Sequence, residues 1–216
     1  MIWLVIILLP AMMVLAGLVA RPLYIHRGLT TKEWRAKWPG DDFVPGAEPS
    51  GSRAVQIEAP TREVWKWITQ IGQDRAGFYS YGWLENLVGS RMPDVDKQLP
   101  IWSTREVGEL LIMAPPERFG QIATMKIVAV EEGHYYVAVN HEGTWAFIVE
   151  PVTESSCRFI ARGTWLPSRN LVARFAHAAI FDPIHYIMEW KMVRKIKNLA
   201  ERQRAKNYVS SPSPSP

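Results

Sequence analysis

Two periods of apolar residues divide the chain. From Thr61 onward Val64, Trp65, Ile68 and Ile71 recur at three- and four-residue spacing until Gly72 ends the run, which predicts a first amphipathic helix. Trp83, Leu84, Leu87 and Val88 predict a second, short helix over 81–88 that stops at Gly89. Beyond Val107-Gly108 the period falls to two. Met125, Ile127 and Ala129 alternate along one strand. Tyr135, Val137 and Val139 read as one face of the next, followed by Trp145, Phe147 and Val149, and by Cys157, Phe159, Ala161, Gly163 and Trp165. A further short strand, Arg53 to Glu58, precedes the first helix. Glu132-Gly133, Glu142-Gly143 and Thr153 to Ser156 serve as turns, and such short connections imply an antiparallel meander with one buried face.

The period then returns to helical. Asp182-Pro183 reads as an N-cap with proline at the first helical position, and Ile184, Met188, Met192, Ile196 and Leu199 form one stripe. The concave face of the meander is the only large apolar surface available to that stripe. The predicted fold is therefore α+β: a curved antiparallel sheet wrapped around a long C-terminal helix, with two short helices between its first two strands.

The ends carry different patterns. Ile2 to Ala20 is free of charge and about as long as a helix that crosses a bilayer, so residues 1–21 are predicted to be a transmembrane anchor. A cleaved signal peptide is the rival: Val14-Leu15-Ala16 offers a cleavage site, but no basic residue precedes Ile2. Arg21, Arg27, Lys32, Arg35 and Lys37 follow the span and predict a single-pass protein with its domain in the cytoplasm. Residues 22–52 read as a juxtamembrane segment and linker, 53–205 as the domain, and 206–216 as a disordered Ser/Pro tail.

Composition narrows the chemistry. The one cysteine, Cys157, excludes an internal disulfide, and no His or Cys spacing supports a metal site. No phosphate-binding loop or G-x-S-x-G nucleophile motif occurs. The net charge of +4 gathers in residues 191–206 and after the apolar N-terminus, which points to a membrane surface and not to nucleic acid. Lys191, Arg194, Lys195, Lys197 and Arg202 are the candidates to touch anionic headgroups, or else form a solvated helix face. Trp34 and Trp38 are placed at the lipid interface.

The run Gln70-Ile71-Gly72-Gln73-Asp74-Arg75-Ala76-Gly77-Phe78-Tyr79-Ser80-Tyr81, then Trp83-Leu84-Glu85-Asn86-Leu87, resembles the SRPBCC superfamily of START-like carriers, polyketide cyclases and pathogenesis-related proteins. Val107-Gly108-Glu109, Gly143-Thr144-Trp145-Ala146-Phe147 and Phe181-Asp182-Pro183 add to the likeness, which covers about residues 53–204. It departs at Gly82, where an acidic residue is expected. The resemblance implies a helix-grip fold with a cavity between helix and sheet, and no particular reaction.

Tyr79, Tyr81, Trp83, Tyr135, Trp145, Phe147, Trp165, Met188 and Met192 are the candidate ligand-binding residues, with no cofactor, metal or catalytic residue assigned. Three functions stand: binding or transfer of a hydrophobic small molecule or lipid, which leads; a cyclase- or aromatase-like enzyme, for which His134, His141, Glu85 and Tyr81 are the acid–base candidates; and a structural or interaction domain with a filled cavity. His177 and His185 read as structural histidines.

Overall fold

A computed structural model describes residue 12 and residues 15–210. Residues 15–24 form helix α1, and α2 (Thr31–Arg35) follows a capping box in which Thr30 and Glu33 satisfy each other's backbone N–H. Strand β1 (Glu48–Ile57) leads into α3 (Thr61–Ile68) and α4 (Gly82–Leu87). Next come β2 (Leu110–Ile112), α5 (Pro116–Phe119), β3 (Thr124–Glu131), β4 (Tyr135–Val139), β5 (Gly143–Thr153) and β6 (Ser156–Trp165). The chain closes with α6 (Leu171–Ala176), a π-helical turn (His177–Phe181) and α7 (Asp182–Ser210).

The strands make one six-stranded antiparallel sheet in the order β1-β6-β5-β4-β3-β2. Its concave face packs on α3 and α7 through Phe147, Phe159, Met125, Val193 and Ile196, all buried. Each such large apolar side chain contributes about 1.5 to 3 kcal/mol on burial. The long helix thus lies against the sheet as the stripe requires, but the stripe is rotated: Glu189, Met192, Val193, Ile196 and Ala200 face inward, while Ile184 is exposed.

Three expectations are corrected. First, the face of β4 is reversed. Tyr136 pairs opposite Phe147, and Ala138 opposite Trp145, so these point inward while Tyr135, Val137 and Val139 point outward. Second, Asp182 caps no helix start, because α6, the π turn and α7 run on as one helix. Pro183 has no N–H to give the carbonyl four residues back, and a π turn directly before it is the usual accommodation of such a break.

Third, the segment read as juxtamembrane and linker is built into the fold. The N–H groups of Ser52 and Ala54 donate to Ile25 and Arg27 carbonyls at 2.8 and 3.1 Å, which covers the free edge of β1. Leu29 and Trp38 pack on the outer face of the sheet with Ala54, Val137, Ile148 and Ile160. Arg158 pairs with Glu33, and Arg162 with Asp41, both at 2.6 Å. Gly40, at φ +103°, is buried against Val137 Cγ1, where a side chain would meet both strain and contact. Trp34 lies under the Arg162 guanidinium and Trp38 donates to the Glu33 carbonyl, so both indoles are held against the sheet side of this layer.

Helix α1 docks on the start of α7. Arg21 Nε reaches Asp182 Oδ2 at 2.6 Å, Tyr24 stacks on Tyr186, and Gly17 lets the helix approach the Ala179 carbonyl. Of the expected anchor, residue 12 and residues 15–21 are described, and the rest lies outside the described residues, as do residues 211–216 of the expected tail. Among the described residues no helix is long and apolar enough to cross a membrane.

Candidate functional site

Between the sheet and the first turns of α7 lies a cavity of about 450 Å³. The strands contribute Trp145 from β5 and Trp165 from β6, and the β4–β5 turn contributes Asn140 and Glu142. Phe78, Ser80 and Glu85 line it from the α3–α4 region, Met113 and Ile122 from the far side, and the last helix supplies His177, Phe181, His185, Met188, Glu189 and Met192.

Most of the wall is aromatic or thioether. Phe78 stacks on Trp145 at 5.7 Å with nearly parallel rings, and Trp145 lies 5.8 Å from His185. His185 stacks on Phe181 at 5.5 Å, and Phe181 meets His177 at 4.6 Å. The chain reaches this arrangement through Tyr79, whose φ of +53° is uncommon for an aromatic residue. Its neighbours Phe78 and Ser80 reach the cavity while Tyr79 itself enters the core beside Trp67. Ser80 Oγ then donates to the Met188 carbonyl at 2.8 Å and fixes the loop to α7.

The polar groups sit at defined points in this wall. Glu189 is 3 % exposed; its Oε1 accepts from Trp145 Nε1 at 2.9 Å, and its Oε2 faces Arg53 Nε, behind the wall, at 3.5 Å. Burial pushes the His185 imidazole below its ordinary pKa, against the pull of Glu189, so the ring stands neutral. His177 Nδ1 contacts Asp182 Oδ1 at 3.2 Å. Burial pushes Asp182 up, but the hydrogen bonds from His177 and Arg21 outweigh it and hold the carboxyl below its usual range.

Glu85 has none of this support. Its carboxyl has no hydrogen bond or ion pair among the described residues, Oε2 is closed to solvent, and burial alone raises its pKa to about 7. It lies three residues beyond Gly82, the position where the resemblance led one to expect an acid. Asn140 spends Oδ1 on the Glu142 and Gly143 N–H groups and leaves Nδ2 without a partner.

Of the nine candidate residues, Trp145, Trp165, Met188 and Met192 come together in the cavity wall. Phe147 is fully buried behind it, stacked on Tyr136, and Tyr79 is in the core. Tyr135 is on the opposite face of the sheet, Tyr81 precedes α4 with its ring near Lys191, and Trp83 is 66 % exposed. Among the acid–base candidates Glu85 alone reaches the cavity; His134 and His141 are exposed. His177, His185 and Glu189 line it without having been singled out as ligand residues. Their three- and four-residue spacing with Phe181, Met188 and Met192 was the available signal. Cys157 is buried in the core, and desolvation pushes its thiol up to about 12, which suits a packed side chain and not a nucleophile. Among the described residues no group of three or more His, Cys, Asp or Glu is placed to hold a metal ion.

No family model and no curated protein matches the chain. Among solved structures it is similar to a polyketide-cyclase-like protein from Corynebacterium glutamicum, at 13% identity over 79% of this chain and 100% of that one, with a TM-score of 0.36. It is similar to norcoclaurine synthase from Thalictrum flavum in complex with dopamine and hydroxybenzaldehyde at 12% identity, over 82% and 97% of the two chains, with a TM-score of 0.39. A conserved protein of unknown function from Enterococcus faecalis gives 8% identity, 74% and 85% coverage and a TM-score of 0.35. At these scores the architecture rests on the strand order and the packed helix themselves.

Proposed function

We propose that the chain is a helix-grip protein of the SRPBCC kind that holds a hydrophobic small molecule or lipid between its sheet and α7. The observation that carries this reading is the cavity, whose volume of about 450 Å³ falls in the range of small-molecule sites and whose walls are chiefly aromatic and methionine side chains. The filled-cavity alternative asks for that space to be occupied by side chains. A purified chain should quench its own tryptophan fluorescence on binding a naphthyl or polycyclic probe, with micromolar or better affinity, about −8 kcal/mol. Met188→Trp places an indole in the cavity and should weaken that binding at least about tenfold with the circular dichroism unchanged. Equal binding by the two forms would overturn the reading.

In the same reading the N-terminal segment tethers the domain to the cytoplasmic side of a membrane. The uncharged run Ile2 to Ala20 and the basic residues after it support this, as do Leu15, Val19 and Leu23 exposed on α1 and Leu171, Val172 and Phe175 exposed on α6. A reporter fused after Pro216 should be active in the cytoplasm and remain in the membrane fraction. A secreted soluble form starting near Gly17 would remove the tether from the proposal.

A cyclase-like enzyme is the second reading, favoured by Glu85 alone: a cavity carboxyl with a pKa of about 7 is poised for general acid–base work near neutral pH. Recovery of bound ligand in chemically altered form, with that conversion lost in Glu85→Gln, would decide for it.

A further inference from the structure

We infer that the cavity selects an apolar ligand with a basic, hydrogen-bond-donating head, an amine, over one with a carboxylate head. This rests on the reading of the cavity as a ligand site and names the class of ligand.

The charge of the wall is one-sided. Glu85, Glu142 and Glu189 line the cavity, and no Lys or Arg is among the described residues that do. Glu189 is already balanced: Arg53 lies against its Oε2 and Trp145 donates to its Oε1, so it offers a ligand an acceptor and not a free charge. Glu142 stands at the open rim, where water screens it. Glu85 is the group left unmatched, a carboxyl inside the wall with neither cation nor hydrogen-bond donor beside it.

Among the described residues of the wall a carboxylate ligand would find no cation to oppose its charge. His185 is neutral, His177 is engaged with Asp182, and Asn140 Nδ2 is a single neutral donor. Bringing an anion beside Glu85 either leaves two desolvated like charges together or forces one of them to take up a proton. An ammonium does the reverse: it supplies the donor and the countercharge that Glu85 lacks, so both groups bind in ionised form. The Asn140 amide remains free to donate to a hydroxyl or carbonyl on the ligand body.

The test uses the purified full chain and three matched probes: naphthylethylamine, naphthylethanol and naphthylacetate. At a pH of about 8, above the Glu85 value of about 7, the amine should bind at least about tenfold tighter than the carboxylate, ~1.4 kcal/mol, with the alcohol between them. Glu85→Gln should bring amine and carboxylate to within about threefold of each other. The wild-type comparison decides selectivity without any variant. Alcohol binding with the carboxylate equal to or tighter than the amine overturns the inference and leaves the ligand site standing. A gap that Glu85→Gln does not narrow overturns the role of Glu85. Failure of all three probes, the neutral alcohol included, overturns the ligand site and the inference together.

Discussion

Trp145 Nε1 donates to Glu189 Oε1 at 2.9 Å and so ties strand β5 to α7 through the cavity wall. Behind that bond Glu189 faces Arg53, and both side chains are almost fully buried. Removing one partner of such a pair leaves a desolvated charge. Arg53→Met should therefore cost about 3 to 5 kcal/mol in denaturant unfolding, whereas Arg53→Met with Glu189→Leu should recover most of the loss. Trp145→Phe removes the donor together with part of the buried ring volume and should cost at least about 1 to 3 kcal/mol.

Glu85 makes stability depend on pH with a definite sign. The folded chain holds the Glu85 proton up to about 7, while the ordinary value is 4.5, so between these limits the folded state binds more protons than the unfolded one. Stability from this group is present below 4.5 and is lost as pH rises to about 7. Glu85→Gln should be the more stable protein above neutrality, by about 1 to 3 kcal/mol, since the side chain is not wholly shielded. Urea unfolding of both proteins across the window gives a difference curve. A flat one would show that Glu85 is well solvated.

Burial of both faces hides the inward side of a strand only where nothing else fixes its register. Along β6 the alternation of Cys157, Phe159 and Ala161 marks the inward face correctly even though Ile160 and Arg162 are buried too, because the turn at Thr153 to Ser156 sets the register. In β4 every position from Tyr135 to Val139 is apolar, Tyr136 and Val137 are both wholly buried, and alternation carries no parity. The outer cover that buries Val137 comes from Leu29, Trp38 and Gly40, in a segment read as juxtamembrane and linker whose pattern says nothing of what it lies on.

The site was legible in the same uneven way. Trp145, Trp165, Met188 and Met192 follow from strand alternation and helix spacing. The partnership of Arg53 with Glu189, and the isolation of Glu85, arise from tertiary approach between distant segments, which no local pattern encodes. The basic face of α7 also reads differently once neighbours are known. Lys195 reaches Asp94 and Asp96 at 2.7 Å and Lys197 reaches Glu201 at 2.6 Å, so part of its charge is matched within the protein.

Asp182 holds α1 to α7 through Arg21 and should release it when neutralised. Its carboxyl titrates below its ordinary 3.8 in the folded chain, so the clamp's stability is present above 3.8 and lost as pH falls through the lowered value. Asp182→Asn should loosen α1 at neutral pH at a cost on the order of 1 kcal/mol, small because the Arg21 side chain is 38% exposed. Trypsin, which passes over the Arg21-Pro22 bond, should then cut after Arg27 faster than in the parent chain. Unchanged cleavage would mean that Tyr24 on Tyr186 and the Gly17 contact suffice to hold the helix.

Ala161→Trp separates packed core from cavity. Ala161 lies on the concave face of the sheet, opposite Phe147 on one side and Arg53 on the other, and is completely buried, but it forms no part of the cavity wall. An indole there has no open space to enter and must displace Phe147 or the Arg53 stem. Overpacking of this kind costs about 1 to 3 kcal/mol. Affinity for a naphthyl probe should change little, because Trp145, Met188 and Met192 keep their places in the wall. Met188→Trp should give the opposite pattern, with little loss of stability and a large loss of binding, since its added volume goes into space the protein leaves unfilled. Denaturant midpoints and probe titrations on the two variants therefore form a crossed pair. If Ala161→Trp abolished binding while remaining as stable as the parent, the cavity would have to extend under β6 to reach it, and the wall drawn through Trp145 and Trp165 would be misplaced.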